Sequence, residues 1–153
     1  VGYRTISLAG IRSSDLIAQL DTVLESVKDQ VFQNFREIET AEVKLLFRCY
    51  GRDGVMGELE PMRQAQPHEI GLVIEVVAKT QALADTICSF ARSTLLHIGY
   101  PGRQSTAGNL AFPYSPSDSS HGLVYEFSVY HLLTVDDPLT PFPRRMQQLG
   151  IRS

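Results

Sequence analysis

Three arginines fall where this chain turns. Arg12 lies in Gly10–Ser14, Arg52 in Gly51–Glu69 and Arg103 in Gly99–Gly122, each a connection between patterned segments. A guanidinium offers five N–H donors in a planar fork that matches carboxylate or phosphate oxygens. Brought together, the three would clamp an anionic group, with Ser105, Thr106 and Asn109 orienting it. The competing account is three solvated arginines, and Arg52-Asp53-Gly54 also reads as turn chemistry.

A second set is suited to proton transfer. His68 and His121 each stand at the junction of a long connection with a strand pattern. Paired with Asp118 or Glu69, they would exchange protons and serve as general bases. Their spacing matches no metal-ligand motif, so neither a metal nor another cofactor is expected. His97 falls near the end of a helix pattern, where a positive charge suits the dipole, and His131 falls inside a strand pattern. Ser105, Thr106 and Ser117 lack the strand-turn-helix setting of a nucleophile elbow. Gly102 and Gly108 have the wrong spacing for a phosphate loop and follow a helix rather than a strand.

The scaffold is read from periodicity. Tyr3–Ala9 alternates as a strand. Ser13 or Ser14 caps a helix in which Leu16, Ile17, Leu20, Val23, Leu24, Val27, Val31 and Phe35 recur at three- and four-residue spacing. Val43–Tyr50 and Ile70–Ala78 alternate again. Thr80 caps a second helix with Leu83, Ala84, Ile87, Ala91, Leu95 and Ile98 on its buried stripe, and Gly99 and Pro101 stop it. Leu123–Val135, rich in β-branched and aromatic residues, reads as the last strand. A proline-containing tail follows, with a turn of helix at Met146–Leu149.

Strand, helix, strand, strand, helix, strand is the ferredoxin-like, split βαβ plan of the α+β class. It predicts a four-stranded antiparallel sheet in the order 4-1-3-2 with both helices on one face. Residues 1–138 form the domain and 139–153 the tail. The plan gathers all three arginine-bearing connections at one end of the sheet. Gly99–Gly122 exceeds the roughly 12–15 residues of ordinary loops, and its Tyr100, Leu110, Phe112 and Tyr114 argue for packing rather than disorder. Val73, Val77, Val124, Tyr130 and Leu132 would leave the other sheet face apolar. A homo-oligomer, or a further N-terminal domain of the same polypeptide, would cover it.

Composition sets the outer limits. The 153 residues, 43% hydrophobic and 20% charged, are enough for one domain with a core. A net charge of -3 argues against nucleic acid as a partner. Eleven arginines stand against three lysines, a bias that anion recognition or genome composition would equally produce. Cys49 and Cys88 sit at apolar-periodic positions and read as buried reduced thiols, which points to the cytoplasm. No apolar run approaches the roughly 18 residues of a membrane span, and no signal peptide is seen. Val1 starts in mid-strand, as expected of an excised domain or processed fragment.

Four stretches are distinctive as strings: Phe47-Arg-Cys-Tyr-Gly-Arg-Asp-Gly-Val-Met-Gly57, Ser93-Thr-Leu-Leu-His-Ile-Gly-Tyr-Pro-Gly-Arg103, Thr106-Ala-Gly-Asn-Leu-Ala-Phe-Pro-Tyr-Ser-Pro-Ser-Asp118 and Val124-Tyr-Glu-Phe-Ser-Val-Tyr-His-Leu132. With them, Tyr3 to Pro138 resembles the C-terminal portion of the acyclic terpene utilisation protein A (AtuA-like) family. The resemblance implies a larger parent protein with an N-terminal α/β domain, and a role in breaking down branched acyclic terpenoids through CoA thioesters. It transfers no catalytic residue. On this reading the domain oligomerises and lines a site for an organic acid or acyl-CoA-type ligand at the long-loop end. Two alternatives stand beside it. One is a freestanding lyase or isomerase using His121 or His68 as base. The other, resting on fold analogy, is a small-ligand-sensing regulatory or assembly module.

Overall fold

The computed structural model describes residues 2–38, 42–127, 134–137, 139–142 and 144–147. Alternation of apolar side chains sets the strands β1 (Gly2–Ile11), β2 (Lys44–Tyr50) and β3 (Ile70–Ala78). Thr5, Ser7, Ala9 and Ile11 of β1 and Leu72, Ile74, Val76 and Ala78 of β3 point to one buried side. Helices cover that side: α1 (Ser14–Ala18), α2 (Leu20–Asn34) and α3 (Gln81–His97). Ser13 caps α1 and Thr80 caps α3, each accepting from the backbone N–H three residues on. The core joins Val23, Val27 and Val31 of α2 to Ile87, Ala91 and Leu95 of α3 over the sheet. Complete burial of such side chains contributes about 1.5–3 kcal/mol each for the larger ones. Phe35 meets Phe90 edge to face at 5.5 Å, closing the far end.

The sheet, completed by β4 (Asp118–Val124), has the order β2-β3-β1-β4, every pair antiparallel. This is the α+β, split βαβ arrangement, with the strand order predicted from the sequence. No helix among the described residues is long and apolar enough to cross a membrane.

Two elements depart from expectation. The first helix is broken at Gln19, which caps the end of α1 and precedes α2. The Gln19 side chain explains the joint: its Nε2 donates to Asp15 O and to Pro101 O, both at 2.9 Å, tying the break to the long connection.

The last strand is also placed earlier than Leu123–Val135. It runs Asp118–Val124, Tyr125–Phe127 are irregular, and residues 128–133, including Tyr130, His131 and Leu132, lie outside the described set. The weak β-formers Asp118-Ser-Ser-His-Gly122 pair with β1 because polar partners hold them there. Asp85 Oδ1 on α3 accepts from Thr5 Oγ1 (2.5 Å), Ser120 Oγ (2.8 Å) and Gln81 Nε2 (2.9 Å). Gly122 N donates to Gln81 Oε1 at 3.0 Å, and Arg92 Nε donates to Asp118 Oδ1 at 2.8 Å. β4 is thus held to α3 by a polar seam, and the connection before it is Gly99–Ser117. In the tail, Arg144–Gln147 is irregular where a turn of helix is predicted from Met146; Leu149 lies outside the described residues.

Candidate functional site

The end of the sheet that carries the long connections is built from Gly99 onward. The connection returns across the mouth of the sheet, where Gly10 and Ala111 exchange both backbone hydrogen bonds at 2.7 and 2.9 Å. Three predicted site residues are spent on this path. The last carbonyls of a helix have no partner within it. Asn109 Nδ2 donates to two of them at the end of α3, Leu95 O and Ile98 O, both at 2.9 Å. Arg103 Nη1 donates to His97 O at 2.8 Å and Ile98 O at 3.4 Å. Between them Gly108 adopts φ +118°, and a Cβ there would lie 2.4 Å from Leu96 Cδ1, so only glycine serves. Ser105 Oγ donates to Gly108 O at 2.9 Å, stiffening the same turn. Thr106 is exposed.

Arg52 is equally committed. Its Nη2 reaches Asp21 Oδ1 at 2.8 Å and Asp53 Oδ2 at 3.2 Å, while Arg63 Nε reaches Asp53 Oδ2 at 2.9 Å. Burial opposes the Arg52 charge, but its hydrogen bonds to the Asp53 and Asp21 carboxylates outweigh this and raise the guanidinium pKa above its ordinary value. The adjoining cleft, about 430 Å³, is lined by Lys28, Arg48, Arg52 and Arg63 but also by Asp21, Glu25 and Asp53. With Arg48 paired to Glu75 outside the cleft, its remaining charges balance. Arg12 is exposed and has no ion pair among the described residues. The structure therefore places Arg12, Arg52 and Arg103 at one end of the sheet, but two of the three already hold partners within the fold.

The proton-transfer candidates are not brought together. His68 precedes β3 by two residues at the long-loop end, where Ile70 pairs with Ile11. His121 is the extra residue of a bulge in β4, between Ser120 opposite Thr5 and Gly122 opposite Arg4. Six residue steps along β1 lead from Thr5 to Ile11, about 20 Å of strand. Both histidines are exposed, and the Asp118 carboxylate is taken by Arg92. Cys49 and Cys88 are buried, and burial pushes their thiols up to about 11 and about 12, so neither forms a nucleophilic thiolate at neutral pH. Among the described residues no group of three His, Cys, Asp or Glu side chains could hold a metal ion.

The most unusual chemistry lies on the sheet face that no helix covers, and sequence reasoning passed over it. Glu75, at the centre of β3, is 8% exposed at its side chain although it points away from the helices. Arg4 on β1 and Arg48 on β2 flank it. Arg48 Nε and Nη2 contact Glu75 Oε2 at 3.1 and 3.0 Å; Arg4 Nε lies 2.8 Å from Oε1, a close ion contact without hydrogen-bond alignment. Toward the long-loop end, the row Tyr50–Gly71–Gly10–Ala111 crosses the sheet, with no side chain on its two central positions. Tyr50 walls one side, Phe112 and Pro113 the other, and Leu8 and Val73 the end, enclosing an apolar groove of about 540 Å³. The signal was present in the sequence: a lone carboxylate inside Ile70-Gly-Leu-Val-Ile-Glu-Val-Val-Ala78, whose strand is otherwise apolar. No family model, curated protein or solved structure matches this chain.

Proposed function

We propose that this chain is an assembly domain of a larger catabolic protein of AtuA-like type, docking through the uncovered face of its sheet. The observation that carries the reading is Glu75, held between Arg4 and Arg48 at the centre of that face, amid half-buried Val73 and Val77 and the exposed Leu46 and Tyr50. A water-facing sheet surface ordinarily alternates with polar residues, whereas here the Glu75 carboxylate is neutralised in place by two arginines and apolar side chains surround them. Exposed apolar patches of this kind mark interaction surfaces.

Tyr50→Asp tests the reading. Tyr50 is 45% exposed, so the substitution should leave the domain's own stability within about 0.5 kcal/mol. Hydroxyl-radical footprinting of the full-length parent protein should nevertheless show Leu8 and Leu46 uncovered by the substitution. Unchanged protection would overturn the proposal. A second reading, an anionic organic acid or acyl-CoA-type ligand at the long-loop end, is favoured by Arg12, which is exposed there without an ion pair among the described residues. Calorimetric titration with a CoA thioester should then weaken in Arg12→Ala and not in wild type; equal affinities would remove this role.

A further inference from the structure

We propose that the uncovered sheet face binds an acidic, aromatic-bearing protein segment rather than a second copy of this chain, its apolar group entering the glycine-floored groove and its carboxylate meeting Arg48 and Arg4. The proposal rests on the docking role argued above and adds the chemistry of the partner.

Charge decides between occupants. Two guanidiniums share the single Glu75 carboxylate, which leaves the centre of the face with an excess of one positive charge on a chain whose net charge is -3. The other charged side chains at this face are already paired, Lys44 with Glu126 at 3.1 Å and Lys79 with Glu42. The Arg4 and Arg48 side chains are 41% and 46% exposed, and Nη1 of Arg48 has no partner among the described residues. A second copy would bring its own two guanidiniums and one already shared carboxylate, so it adds positive charge to this face and no carboxylate to spare, which opposes self-pairing. A carboxylate from a different surface would complete the array and draw on long-range attraction.

Shape supplies the other half. Gly10 and Gly71 are register partners with no side chain on this face. A Cβ on Gly71 would sit 3.7 Å from Tyr50 Cβ, and one on Gly10 would sit 3.8 Å from Ala111 O. Any larger residue at either position would therefore fill the floor. The Ala111–Pro113 rim is held to the sheet by the paired backbone hydrogen bonds between Gly10 and Ala111, at 2.7 and 2.9 Å. A preformed slot floored by glycine and flanked by Tyr50 suits a flat apolar side chain at low ordering cost.

The test uses the 153-residue chain, isotope-labelled, with a random poly(Glu,Tyr) copolymer as probe, followed by amide NMR. The expected result is a set of shifts confined to Leu8, Gly10, Arg48, Tyr50, Gly71 and Val73, smaller with poly-Glu and absent with poly(Lys,Tyr). Arg48→Gln and Arg4→Gln should each weaken the midpoint by roughly two- to fivefold at low salt. If either variant misfolds, raising ionic strength on wild type should weaken binding in the same direction. Shifts elsewhere, or binding indifferent to both arginines and to salt, would overturn the proposal. Wild type that sediments as a dimer with these same residues protected would overturn it too, while leaving the docking role intact; a face that neither self-associates nor binds the probe would count against both.

Discussion

Replacing Glu75 separates stability from recognition. In Glu75→Gln the two guanidiniums lose their shared carboxylate but remain 41% and 46% exposed, so water takes up most of the lost interaction. Exposed ion pairs contribute about 0.2–1 kcal/mol each. The loss should therefore total about 1–2 kcal/mol, well short of the roughly 3–5 kcal/mol seen when one member of a fully buried pair is removed. For a domain of this size that corresponds to a fall in Tm of roughly 2–8 °C. Glu75→Leu is the informative partner. Leucine would extend the apolar row formed with Val73 and Val77, replacing a desolvated charge by buried hydrocarbon, and should come within about 1 kcal/mol of wild type. Urea unfolding followed by circular dichroism gives both values. If Glu75→Leu costs more than about 3 kcal/mol, the carboxylate is holding the sheet together and its role as a neutralised docking element is wrong.

Four other outcomes follow from the packing. Asn109→Ala should cost about 1–3 kcal/mol in urea unfolding, because Leu95 O and Ile98 O lose their donor at the end of α3; Gly108→Ala should cost more, given φ +118° and the Leu96 contact. Thr5 donating to Asp85, with Ser120 and Gln81 beside it, holds that carboxyl below its ordinary pKa of 3.8 against the opposing effect of burial. The stability it contributes is present above the unfolded value and is lost as pH falls through the lowered folded value. Wild type and Asp85→Asn should thus differ at neutral pH and converge in acid titrations below about pH 4; a gap unchanged at low pH would contradict this. Cys49 and Cys88 should react with a thiol reagent at pH 8 only upon unfolding, since their thiols lie near 11 and 12. In hydrogen exchange, β4 amides should open before those of β1 and β3, because a polar seam rather than apolar packing holds β4 to α3; equal protection would refute that ranking.

The fold was legible wherever burial imposed a period. Val23, Val27 and Val31 mark the helix side of α2, and the alternation of Leu72, Ile74 and Val76 marks β3; such patterns report the environment directly. β4 was misplaced because its position depends on partners distant in sequence, Thr5, Gln81 and Asp85, while Tyr125-Glu-Phe127 carries the stronger local propensity. The break at Gln19 likewise depends on Pro101 O, which no local pattern reveals.

Site residues followed the same division. Chain direction correctly gathers Arg12, Arg52 and Arg103 at one end, but topology does not show that Asp21 and Asp53 hold Arg52 or that helix carbonyls hold Arg103. Arg4, Arg48 and Glu75 come from three strands and meet only through register, so their triad became visible only once Leu8 was paired with Val73 and Phe47 with Ile74.

The docking face is tested most directly by hydroxyl-radical footprinting of the 153-residue chain with and without a saturating amount of the poly(Glu,Tyr) copolymer. Leu8, Leu46 and Tyr50 should be oxidised severalfold more slowly with the copolymer bound, while Met56, Leu59 and Met62, exposed in the β2–β3 connection, should react alike in both. Equal oxidation of the first group in the two samples would contradict the assignment of this sheet face to docking.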